Sequence, residues 1–82
     1  MKDTLLYLLS QMVENADALS VTEEEQEGKK LLVIHADPSD IGRIIGKHGR
    51  IIRAIRDLVK IMAVKQNLYV DVTIAEDAPL AV

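Results

Sequence analysis

Two glycines three residues apart, Gly46 and Gly49, interrupt an otherwise continuous helical period and so fix where one helix ends and the next begins. They sit in the run Ile41-Gly-Arg-Ile-Ile-Gly-Lys-His-Gly-Arg-Ile-Ile-Arg-Ala-Ile55. Glycine lets the backbone turn sharply and approach another backbone closely, because no Cβ intervenes. A short helix therefore ends near Ile45, and a longer one runs from about Arg50 to Gln66, where Asn67 breaks it. The first N–H groups of the longer helix lack partners within it and lie at the positive end of its dipole, which makes the junction a natural seat for a phosphate. Lys47, Arg50 and Arg53, with Arg43 on the preceding helix, are the cations available to neutralise the neighbouring phosphates.

The elements around this junction follow from periodicity and turn chemistry. Leu5, Leu8, Leu9, Met12, Val13 and Ala16 recur at helical spacing and predict an amphipathic helix over residues 3–16. A short strand is expected over Leu19–Glu25, a turn at Glu27-Gly28, and a second strand over Lys30–Ala36. The unbroken apolar run Leu31-Leu32-Val33-Ile34 suggests that this second strand is covered on both faces, or meets a ligand or partner with one of them. Asp37-Pro38-Ser39-Asp40 is a helix start, with Asp37 as N-cap, Pro38 in the first turn and Asp40 favoured by the dipole. Residues Leu68–Ile74 alternate cleanly and predict a third strand. The order is αββααβ, an α+β domain over residues 1–76 with a short flexible tail over 77–82.

Charge distribution decides what the net value of −3 conceals. From Arg43 to Lys65 there are seven basic residues and one acid, a net +6, whereas the remainder holds three basic and twelve acidic residues, a net −9. That stripe is either a localised polyanion site or a solvated helix face. With only Tyr7 and Tyr69 as aromatics, the composition argues against base stacking on an aromatic platform. The absence of cysteine excludes disulfides and thiolate metal sites and permits a reducing compartment. No apolar stretch is long enough for a membrane span or a signal peptide, so a cytoplasmic protein is expected. His35 with Asp37 supplies two potential metal ligands, too few for a site, and no nucleophile, phosphate-binding Walker loop or carboxylate pair appears. Neither an enzyme nor a cofactor is expected.

The spacing Ile45-Gly46-Lys47-His48-Gly49, with Ile52 and Ile55 beyond it, resembles the I-G-x-x-G-x-x-I-x-x-I signature of KH domains. The αββααβ order is similar to the type II form of that fold, with a three-stranded sheet packed against three helices. Length and the segment Asp37 to Ile55 resemble the KhpA family of small bacterial RNA-binding proteins. The resemblance implies that the Gly46-Lys47-His48-Gly49 loop clamps the backbone of about four nucleotides of single-stranded RNA. It implies an apolar groove lined or supported by Ile41, Ile44, Ile45 and Ile52, with Leu32 to Ile34, Val33 among them, as the opposite wall. An RNA chaperone or post-transcriptional regulator is the corresponding role. His48 is either a contact to phosphate or base, or an ordinary loop histidine. Gly42 either admits RNA or serves helix packing.

The long helix carries more apolar surface than one core needs. At 100° per residue its apolar positions span roughly 200°, against little more than about 100° for a single core-facing stripe. Ala54 and Ile61 mark one edge of that arc. Such an excess fits a deep core or a subunit contact. The family resemblance implies a homodimer, or a heterodimer with a larger KH protein of the KhpB kind, with Ala54 and Ile61 near the contact. A scaffold acting mainly by such pairing is the alternative to an RNA binder.

Overall fold

The computed structural model describes residues 1–75, so the expected domain end at 76 and the tail over 77–82 lie outside the described residues. Six elements follow one another: α1 (Lys2–Ser10), β1 (Ser20–Gln26), β2 (Lys29–His35), α2 (Pro38–Ile45), α3 (Arg50–Lys65) and β3 (Val70–Ile74). Central strand β2 pairs antiparallel with β1 and parallel with β3. The β1–β2 turn places Glu27 at φ 52° and Gly28 at φ 80°, two successive left-handed residues whose twist matches that of the flanking strands.

Register puts Val21, Ile34 and Ile74 side by side, with Leu32 and Val72 in the next row of the same face. This face meets the helices. Leu5 and Leu9 of α1, Ile44 of α2 and Ile55, Val59 and Ala63 of α3 close the core over it, entirely from aliphatic side chains. Period 2 then sends Val33 to the opposite face of the sheet, and it lies outside that helix-packed cluster. The apolar run in β2 thus serves two faces. Among the described residues, helices cover the Leu32 and Ile34 face.

Helix α1 is shorter than its apolar period predicts. It ends at Ser10 rather than at 16, and a single tight turn follows at Ala16–Ala18. The cause lies 25 residues away in the chain: the backbone N–H groups of Glu14 and Asn15 donate to the two carboxylate oxygens of Asp40, at 3.1 and 3.0 Å. A helix through this segment would need those N–H groups for its own carbonyls. Met12 and Val13 still pack half-buried against the core, so their hydrophobic spacing is kept without the helix.

At the other end of the domain, α3 stops at a left-handed Asn67, φ 59°. The Asn67 N–H donates to the Val64 carbonyl and the Leu68 N–H to the Ala63 carbonyl, which satisfies the last turn. Leu68 is thereby folded back onto the helix, and β3 begins at Val70, two residues later than alternation suggests.

Candidate nucleic-acid interface

Helix α2 is started by Asp37, whose carboxylate accepts the Ser39 N–H at 2.9 Å, with Pro38 in the first turn. It is stopped by Gly46 at φ 76°, ψ 170°, a backbone region essentially restricted to glycine. The chain then makes one 3₁₀ turn over Lys47–Gly49, with His48 at φ 58° and Gly49 at φ 73° before α3 begins. Three positive φ angles in four residues turn the backbone so that α3 starts abruptly behind an exposed loop. Glycine 49 caps α3 without a side-chain acceptor, and no acidic residue occupies the first turn. Cations at the positive end of a helix dipole work against the fold, so Arg50 and Arg53 there favour an anion at the junction.

The two glycines are needed for different reasons. A Cβ on Gly46 would come within 2.5 Å of Ile51 Cγ1, whereas one on Gly49 would meet only Arg53 Nη2, at 3.8 Å. Replacing Gly46 by alanine should therefore cost about 3 kcal/mol or more, from strain and overlap together. Gly49→Ala should cost only the left-handed penalty, about 1 kcal/mol. Thermal unfolding of the two variants followed by circular dichroism measures the difference. Equal losses would mean that the Ile51 contact contributes nothing.

Lys47, His48 and Arg50 are exposed around the loop. Among the described residues neither Lys47 nor Arg50 forms an ion pair. Beside them, Ile41 and Ile52 are half-buried and Ile45 is exposed, while Ile44 is fully buried and supports this surface from below. A Cβ on Gly42 would meet nothing within 4 Å, which removes helix packing as the reason for that glycine.

Other expected positions are placed differently. Leu32 and Ile34 are buried beneath the helices, and Val33, also buried, lies outside that helix-packed cluster. The strand packed along α3 is β3, joined to it by Arg56 Nε to Asp71 Oδ1 at 3.4 Å. Burial pushes the Asp71 carboxyl up, but the Val72 N–H and the nearby Arg56 and Lys60 charges outweigh it and leave the group below its ordinary value. Arg43 is likewise engaged: its guanidinium lies 3.0 Å from Glu14 Oε2 and 3.4 Å from Asp40 Oδ1. The basic stripe is therefore less free than its residue count suggests. Among the described residues, the charges near the loop without an ion-pair partner are those of Lys47, Arg50 and Arg53.

Sequence reasoning missed Asp40. It is almost completely buried and accepts the Glu14 and Asn15 backbone N–H groups, the Asn15 side-chain amide at 3.2 Å and Arg43. The Glu14 N–H leads the interactions that hold its carboxyl below the usual carboxylate range against the opposing effect of burial. The only sequence signal was an acid in the first turn of α2, which reads as a dipole effect.

An α+β chain of αββααβ order, with a G-x-x-G loop between consecutive helices and a three-stranded mixed sheet, defines a type II-like KH domain. The family model described as the KhpA/KhpB KH domain matches residues 2–74, and the chain belongs to that family. Among its relatives, the RNA-binding protein KhpA of Clostridium acetobutylicum is 39% identical over 74 residues, 90% of this chain and 99% of that protein. The RNA-binding protein KhpA of Caldanaerobacter subterraneus subsp. tengcongensis is 41% identical over 63 residues, 77% of this chain and 84% of that protein. That of Chlamydia caviae is 35% identical over 77 residues, 94% and 99% of the respective chains. No solved structure gives a significant match.

Proposed function

We propose that this chain is a non-catalytic, single-stranded RNA-binding module of the cytoplasm, gripping about four nucleotides with the Gly46-Lys47-His48-Gly49 loop and acting as an RNA chaperone or post-transcriptional regulator. The observation that carries it is the loop itself: a left-handed turn exposing Lys47 and His48 in front of an α3 N-terminus whose first turn holds arginines and no acid. Relatives named RNA-binding protein KhpA support the same reading. Ile41, Ile45 and Ile52 offer the bases an apolar surface beside the clamp, and Gly42 leaves that side of α2 open. Fluorescence anisotropy of a short unstructured RNA titrated with protein at several salt concentrations tests this. A log–log salt slope of about −2 to −3 is expected, from three or four phosphate contacts on a single strand. A slope near zero, or preference for a duplex of equal length, would overturn it.

A second reading has its own observation. One flank of α3 presents Ala54, Leu58 and Ile61 to solvent, with Ile61 68% exposed. This is the part of the apolar arc that the core does not use, and it suits pairing with a second copy or with another KH protein. Ile61→Asp should leave the thermal stability unchanged, because the side chain touches little within the domain, and should reduce any dimer to monomer in sedimentation. Wild-type protein that is monomeric at tens of micromolar would count against self-pairing.

A further inference from the structure

Arg53 was expected among the phosphate ligands, yet its guanidinium folds back over the loop instead of reaching outward. Nη2 donates to the His48 carbonyl at 3.3 Å and lies 3.8 Å from where a Gly49 Cβ would stand. The same peptide unit is held at its other end, where the Gly49 N–H donates to the Gly46 carbonyl at 3.0 Å. The His48–Gly49 peptide is thus fixed on both sides, by the loop's own turn and by a side chain one turn into α3. It is also the peptide with most reason to rotate. His48 is a non-glycine residue held at φ 58°, with Gly46 and Gly49 at φ 76° and 73°; histidine enters the left-handed region more readily than most residues, but still at a cost its surroundings must offset.

We infer that Arg53 is a positioning residue for the clamp: it locks the His48–Gly49 peptide in the orientation that exposes Lys47 and the α3 N-terminus, and does not itself carry a phosphate. The inference deepens the RNA-clamp reading and rests on it for its functional consequence. When a binding-competent conformation is only partly populated, apparent affinity falls by that fraction. Arg53→Gln therefore lowers affinity by reducing the fraction of correctly oriented loops. A phosphate ligand would lower it by losing a contact.

Three readouts separate the two roles. In Arg53→Gln, RNA affinity is expected to drop about three- to tenfold with the log–log salt slope unchanged, whereas loss of a phosphate contact would shift the slope by about 0.7. In a His48→Gly background, where glycine adopts the left-handed conformation without help, the same Arg53→Gln substitution is expected to cost less than twofold. Hydrogen exchange of the Gly49 amide, followed by NMR on protein without RNA, should accelerate in Arg53→Gln and return towards the wild-type rate on His48→Gly. A slope change of about 0.7, or unchanged Gly49 exchange, overturns the positioning role. The exchange measurement needs no RNA, so it decides the lock even if wild-type protein fails to bind RNA and the clamp reading falls.

Discussion

Converting the loop to Gly46-Asp-Asp-Gly49, by Lys47→Asp with His48→Asp, should abolish RNA binding by at least about a hundredfold and leave the domain folded. Both side chains are exposed and neither enters the core. Lys47→Asp exchanges a positive charge for a negative one, and His48→Asp adds a second negative charge at the proposed phosphate seat. A hundredfold corresponds to about 2.7 kcal/mol, within reach of one lost charge-assisted contact and the new repulsion together. The fold should tolerate the change because aspartate, like histidine, enters the left-handed region more readily than most residues. Anisotropy with a short single-stranded RNA gives the affinity, and circular dichroism confirms an unchanged unfolding temperature. Retained affinity, within threefold of wild type in a folded variant, would move the RNA site elsewhere.

The second large effect concerns Asp40. Asp40→Asn replaces a carboxylate that receives four donors with an amide that can accept through only one oxygen and introduces two N–H donors with no acceptor nearby. At neutral pH the unfolding temperature should fall by about 10 °C or more, a large loss for a domain of this size. The pH dependence gives the test its sign. The folded-state pKa of Asp40 lies below the unfolded value, so its contribution is complete above that unfolded value and lost as pH falls through the folded one. The gap between wild type and Asp40→Asn should therefore be constant from neutrality down to pH ~5 and close below pH ~4. Thermal unfolding across pH 2–7 checks both points. A gap that persists unchanged at the acid end would place the effect in packing rather than in the charge.

Local signals carried most of the fold. The Asp37-Pro38 start, the two glycines and the isoleucine spacing fix α2, the loop and α3, because capping and φ preferences act within a few residues. Readings failed where the deciding partner was distant. Nothing near Glu14 announces that its N–H belongs to Asp40, so the helix expected from periodicity runs to residue 16, six residues past the end of α1. Arg43 reads as an available cation because Glu14, which faces it, lies far away in sequence. Arg53 shows the limit most directly. Its charge was legible, but the direction of its side chain was not.

Among the described residues β1 is an edge strand of the three-stranded sheet, where Glu23, Glu24 and Glu25 stand exposed, with Glu27 in the turn beyond. An unprotected strand of this kind is a template for other chains, and carboxylates along it are a common defence against edge-to-edge aggregation. Two copies meeting there antiparallel would set glutamates against glutamates. Runaway β-polymerisation is thus opposed at this margin, where the same carboxylates repel any polyanion. The acidic excess that seemed to argue against a nucleic-acid partner instead protects an exposed strand edge.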